Sequence, residues 1–446
     1  MDLFGVRRVP FMARRNYIIE VQHLFLWGIF AGMFEGTVSS IVVAKTFDAE
    51  PWLITIVMAT PMFSNLMGLA WGAAATGRRK LPLFALFAAA SSAMIGSVAL
   101  TPASSLGGWI FAGQILVARM MLSGCVTVRS SLWKHNYPSI ERGRIVARLQ
   151  FVRFSFAVAT VTCVSLLFDR NPLIYVWVYP AVAMIGCAAI LAIRRTHVRG
   201  EVVELKHIAE KAAAIPRGSL RSRLLHPVVA GIEVLRADPA FARYSLGMMF
   251  LGAGNMMIMP IMTIMITKQL HLSYYHSCNL MDVLPRMMMM GSLILWAGLF
   301  DRVGVVRFRV LNACVWVSGI VAGGIAAVII YFTDYMDSVP LFATAVTFVA
   351  LSRIGQGFGM GGGAIAWNLG HLHFAEPEKA EVYMGVHVFL AGVRGLAAPF
   401  LGTFLYTVNG PLAFAVALSS GVVAIGIFIL LARAERRAQK KHGAGD

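Results

Sequence analysis

Apolar residues run in long unbroken stretches separated by short polar ones. The stretches fall near 21–45, 51–75, 81–101, 106–133, 145–167, 173–193, 241–267, 276–300, 309–332, 340–369, 383–406 and 411–433. A bilayer core needs about 20 consecutive apolar residues per helix, so each stretch predicts a membrane-spanning helix. Helices are preferred over strands because backbone groups in lipid have to be satisfied within the segment, and the alternating pattern of a lipid-facing barrel strand is missing. The predicted class is an all-α membrane protein with twelve transmembrane helices. The longest polar stretch divides six spans from six. It predicts a six-helix bundle over 1–193, a basic linker over 194–240, a second six-helix bundle over 241–433 and a basic tail over 434–446. The linker is partly amphipathic (Leu220, Leu224, Leu225, Val228, Val229, Ile232, Leu235), as expected of a segment lying along a membrane surface.

Composition narrows the function. Of 446 residues, 58% are hydrophobic and 13% charged, about half the charged fraction of a soluble domain. A soluble enzyme, a disordered chain and a secreted disulfide scaffold are excluded. The net charge of +18 would by itself suggest nucleic acid, but the position of the charge says otherwise. With the N-terminus placed inside, 30 of the 39 Lys and Arg fall in inner segments, and only Lys45, Arg170 and Lys268 fall outside. That bias is the signature of membrane topology and puts both termini in the cytoplasm; no nucleic-acid partner is expected. The first apolar run is too long for a signal-peptide core and lacks a small-residue cleavage site, so it reads as an uncleaved first span. Five scattered cysteines without a CxxC point to neither a disulfide framework nor a zinc site. No P-loop, nucleophile triad or zinc helix is present, so neither an ATP-driven pump nor another enzyme is expected, and no cofactor.

The two halves echo one another. Arg119 and Trp133 stand fourteen apart near the fourth span, as do Arg353 and Trp367 near the tenth; Glu141-Arg142 and Glu378-Lys379 then open the next helix. A duplicated unit is how many transporters are built. Between spans 8 and 9 lies Gly298-Leu299-Phe300-Asp301-Arg302-Val303-Gly304, and the matching place between spans 2 and 3 reads Gly72-Ala73-Ala74-Ala75-Thr76-Gly77-Arg78-Arg79-Lys80 without the acid. Span 10 carries Arg353-Ile354-Gly355-Gln356-Gly357-Phe358-Gly359, and span 11 carries Gly392-Val393-Arg394-Gly395-Leu396-Ala397-Ala398-Pro399. Together with the twelve spans, two halves and basic central loop, these strings resemble the major facilitator superfamily over nearly the whole chain. The resemblance implies two pseudo-symmetric bundles with spans 1, 4, 7 and 10 around a central cavity. It also implies a cytoplasmic latch of Asp301 and Arg302, expected in the second half only. The span-10 string is the one that drug/proton antiporters of the superfamily carry on span 4. Here span 4 keeps Arg119, has its glycine, Gly124, one position late and has no Gln, and span 5 lacks the antiporter Gly-Pro string.

Charged and polar groups in the cavity-lining spans are Glu35, Arg119, Asn255, Arg353 and Gln356. An ionisable group in lipid is costly and has to face protein or water. Glu35 reads as the only acid deep in the first six spans, at a depth matching Arg119, so the two could pair. The pair serves proton coupling if it can open, structure if it cannot, or substrate contact. Arg119 and Arg353 as two guanidinium forks suit an anionic or zwitterionic substrate; alternatively each bonds backbone carbonyls where glycines open the helix. Asp282 and Arg286, four apart, would share a face as a structural pair or an outer gate. His387 stands seven before Arg394 as a proton shuttle or a strut, and Arg153 and Arg394 lack an acid at obvious depth. Met256, Met259, Met262 and Met265 step down span 7, Met287–Met290 run together on span 8, and His271, His276 and Cys278 stand just outside. These suit copper(I) or make an adaptable apolar wall; no other metal site is expected.

Three functional readings follow. One is a proton-coupled secondary transporter of a small solute working by alternating access, with Glu35 as the coupling group. The second is a transition-metal transporter using the Met-rich spans. The third is a transporter-like sensor or assembly protein without flux, suggested by the missing acid in the first-half loop. The expected partners are the lipid bilayer, a small-molecule substrate and H⁺; a monomer is expected, and short loops point to a bacterial inner membrane.

Overall fold

The computed structural model describes residue 6 and residues 9–214, 231–375 and 380–442. Leu220, Leu224, Leu225, Val228, Val229, Glu378 and Lys379, all named above, lie outside the described residues. The chain forms helices α1 (Arg14–Gly32), α2 (Val38–Lys45), α3 (Pro51–Ala75), α4 (Lys80–Gly96), α5 (Ser105–Asn136), α6 (Ser139–Arg170), α7 (Tyr175–Ile193) and α8 (Glu201–Ala214). They are followed by α9 (Pro239–Ile264), α10 (Tyr274–Cys278), α11 (Leu284–Val303), α12 (Val305–Phe332), α13 (Val339–Leu369), α14 (Ala380–Val408) and α15 (Gly410–His442). Two π-helical turns, Met265–Gln269 and Asn279–Val283, extend α9 and join α10 to α11. Ten helical stretches among the described residues are long and apolar enough to cross a membrane. The other two positions in the order are taken by α1 with α2 and by α3.

Helix starts follow local chemistry. Ser104 accepts the Gly107 amide at the head of α5, and Asp238 accepts those of Ala240 and Phe241 at the head of α9, where Pro239 takes the first turn. Gly304, at φ +75°, turns the chain from α11 into α12.

Two compact units result: Met1–Arg217 with Ser273–Asp282, and Gly218–Leu272 with Val283–Asp446. In the first, α1 packs on α6 and α7, α3 on α5, and α4 on α5 and α7. In the second, α9 packs on α14 and α15, α11 on α13, and α12 on α13 and α15. Counted by span within each unit, these are the same five neighbour pairs: 1 with 5, 1 with 6, 2 with 4, 3 with 4, and 3 with 6. The duplication read from the Arg–Trp spacing therefore holds at the level of packing.

Small residues set the tightest seams. Gly28 and Gly32, four apart on α1, lie against the backbone of Arg153 and Ala157 on α6, where a Cβ would meet main-chain atoms. In the second unit Gly355 on α13 meets Gly319 on α12 backbone to backbone, and Gly357 meets the Pro285 backbone of α11. The glycines of the span-10 string thus serve close helix contact. The core of the second unit gathers Phe241, Tyr244, Met248, Leu251, Tyr383 and Phe428. That of the first holds Tyr17, Trp27, Phe30, Phe34 and Phe84, all fully buried.

The apolar run at 21–45 conceals two departures from a straight helix. Its helix starts at Arg14, so Glu20 also lies inside it, buried at 3% exposure and accepting the Trp133 Nε1–H at 2.6 Å. Glu35 is therefore not the only acid deep in the first six spans. The span also breaks: residues 33–37 leave the helix between α1 and α2.

Candidate functional site

The break in the first span builds the site. Helical hydrogen bonding stops around Gly32, and carbonyls at Phe34 and Gly36 are left without helical partners. Arg119 on α5 takes both: its Nε donates to the Phe34 carbonyl at 2.6 Å and an Nη2 donates to the Gly36 carbonyl at 2.7 Å. At the other side of the break, buried Asp282 accepts the Thr37 amide at 3.1 Å, heading α2. Held at both ends, the break presents the Glu35 side chain, which pairs with Arg153 on α6. The Gly28–Gly32 seam places α1 against the backbone of Arg153, which brings that pair into register.

One expectation changes. Matching depth pointed to Arg119 as the partner of Glu35; the ion pair is with Arg153, because the break turns Arg119 onto freed main-chain carbonyls. Arg153 therefore has its acid. Asp282, in the π turn over residues 279–283, accepts at the head of α2.

Glu35, Arg119 and Arg153 border one cavity of about 230 Å³ in the first unit, with Pro61, Ser64, Asn65, Leu122, Ser123 and Val126. Glu35 and Arg153 keep 16% and 14% of their side-chain surface, so the pair is shielded yet reachable from the cavity. A carboxylate in this position can exchange its guanidinium for a proton or a ligand group without crossing protein.

The remaining candidates separate. Gln356 donates Nε2–H to the Met259 sulfur at 2.7 Å, and the fully buried Arg353 places an Nη1 at 3.7 Å from the same sulfur. Met262 and Met265 are fully buried, so the span-7 methionines act here as acceptors and packing rather than as one exposed thioether array. Asn255 and Arg394 border a cavity of about 300 Å³ in the second unit. His387 is buried, its ring 4.4 Å from that of Trp367. Asp301 and Arg302 are exposed at the end of α11 and form no ion pair with each other or with another described residue.

Two features escape a reading of the sequence alone. On α1, Glu20, His23 and Trp27 recur at helical spacing and face α5. There Arg129 bonds His23 at 3.1 Å, stacks over Trp27 and Phe84, and stands a turn before Trp133. That i, i+3, i+7 polar stripe was the signal. Arg309, the first residue of the apolar run at 309–332, is 3% exposed inside α12 and borders the second cavity.

No known sequence family matches the chain, and no curated protein does. Solved structures do. A D-xylose–proton symporter aligns with TM-score 0.61 and 14% identity over 92% of this chain and 96% of its own. The nucleoside transporter NupG aligns with TM-score 0.61 and 14% identity over 94% and 98%. A POT family transporter in complex with a thioalcohol-conjugated peptide aligns with TM-score 0.58 and 12% identity over 97% and 99%. The fold is that of the major facilitator superfamily. The chain is an integral membrane protein with major-facilitator architecture, and the broken first span with its Glu35–Arg153 pair sits in the first major-facilitator bundle.

Proposed function

We propose that the chain is a secondary transporter that moves a small solute by alternating access, coupled to H⁺ through Glu35, in a bacterial inner membrane with both termini in the cytoplasm. The observation that carries this reading is the Glu35–Arg153 pair on the broken first span, bordering a cavity. Protonation of Glu35 removes the charge that holds Arg153, and the break lets this part of the span move without disturbing a continuous helix. Transporters of this fold that bind sugars with protons, nucleosides and peptides support transport in general. The uneven distribution of Lys and Arg supports the orientation.

The test works whatever the substrate. Proteoliposomes holding the purified full chain are incubated with a mixed pool of small metabolites under an imposed pH gradient, and the lumen is analysed by mass spectrometry. The wild type is expected to accumulate at least one solute against its gradient. Glu35→Gln is expected to lose that accumulation while keeping exchange of the same solute. Accumulation by Glu35→Gln at the wild-type level removes Glu35 from the mechanism, and no flux by either protein removes the transport reading in favour of a sensor.

A further inference from the structure

The cavity of the second unit differs from that of the first in one respect that chemistry makes decisive: it holds cations without an acid. Arg309 on α12 and Arg394 on α14 both border it, and no carboxylate among the described residues does. Among the described residues, every acceptor they have is neutral. Arg309 donates to the Asn312 Oδ1 at 2.8 Å and to the Met248 sulfur at 2.7 Å, and lies over the Phe428 ring. Arg394 donates to the Met248 carbonyl. The Nε of each guanidinium, and the Oδ1 of Asn255 beside them, are buried atoms with no hydrogen-bond partner among the described residues. The two cations also act on one another and on the buried His387. Two like charges kept in a low-dielectric cavity with spare donors call for a counter-charge. Around them the wall is apolar and aromatic: Trp316, Trp367, Met289, Met360 and Leu251.

We propose that this cavity binds a small organic oxyanion, a carboxylate or phosphate head carried on an apolar body. The head bridges Arg309 and Arg394, whose forks match two oxygens. The Asn255 amide, whose oxygen and nitrogen are interchangeable by rotation, orients the head. The body lies against Trp316 and Trp367. Room for the Arg394 guanidinium comes from Gly252, where a side chain would collide with it. As a binding site this stands apart from the transport reading; as an assignment of the carried solute it rests on that reading.

The experiment is calorimetric titration of the detergent-purified full chain with benzoate, phenyl phosphate and the neutral isostere benzamide. The oxyanions are expected to bind at least roughly tenfold more tightly than benzamide, the scale of a charge-assisted hydrogen bond. Arg394→Gln and Arg309→Gln are each expected to weaken oxyanion binding by roughly tenfold or more on the same grounds, with size-exclusion profiles unchanged. Equal binding of benzamide, no oxyanion binding by the wild type, or unaltered affinity in both folded variants overturns the proposal. The comparison with benzamide needs no variant, so it decides even if a substitution unfolds the protein. Competition by phosphatidylglycerol but not phosphatidylcholine identifies a lipid headgroup as the natural oxyanion, and lack of competition identifies a free solute. Either result upholds the site. The pH-gradient assay on Glu35→Gln reads a different cavity, so failure here leaves that reading standing and separately testable.

Discussion

The two bundles share their helix neighbours but not their charge. In the first, the opening span supplies an acid, Glu35, and the fifth supplies Arg153; the two neutralise one another beside a cavity that also holds Arg119. In the second, the opening span supplies a neutral amide, Asn255, while the fifth again supplies an arginine, Arg394, with Arg309 added from the third. One frame thus carries a cavity with an acid–arginine pair and a cavity with arginines alone. Duplication preserves the packing, which depends on many small residues and close contacts. It leaves the charge free to diverge, since that turns on a few positions. A balanced pair next to a cavity suits a group that exchanges its proton; an unbalanced pair of cations suits a ligand that brings the missing charge.

The sharpest way to break this contrast is to make the second cavity resemble the first. Asn255→Asp supplies an acid beside Arg394 and Arg309, and is expected to weaken benzoate binding by roughly tenfold or more, read by calorimetry. Unchanged binding would show that the cations are not the determinant. A second intervention acts on the first cavity through its frame. Gly28→Leu drives a side chain into the Arg153 backbone and should cost about 1–3 kcal/mol, visible as a lowered Tm in detergent and as weakened proton-driven uptake. If both stay at wild-type values, the seam does not set the register of Glu35 and Arg153. The smallest expected effect belongs to the methionines. Met262→Leu and Met265→Leu conserve volume in a buried wall and should leave cellular copper unchanged; a clear change in copper content would revive metal transport.

Much of the frame was legible because hydropathy reports how much apolar length a segment has. It does not report where a helix starts or whether it bends. The run at 21–45 is continuous in hydropathy, yet its helix begins at Arg14 and breaks at residues 33–37, between Gly32 and Val38. Gly32, Gly36, Ser39 and Ser40 were the available hint, since glycine is a poor helix former and serine competes for backbone bonds. The helix of the run at 309–332 likewise starts four residues early, at Val305, so Arg309 stands a turn inside the helix rather than at its end. Polar residues near helix ends that face protein rather than lipid escape hydropathy, and Glu20 and Arg309 are both of this kind. The candidate site was half legible. Glu35, Arg119, Asn255 and Arg394 all border cavities, but which cation meets which acid is set by how one helix rotates against another.

The contrast between the two cavities rests on Glu35 being the group that exchanges a proton. Its most direct measurement is uptake of labelled phenyl phosphate, which stays charged near neutral pH, into proteoliposomes under an inward proton gradient, with wild type and Glu35→Gln compared side by side and counterflow measured in the same vesicles. The expected result is gradient-driven accumulation by the wild type only, with counterflow preserved in both proteins. Equal accumulation by the two would contradict the assignment.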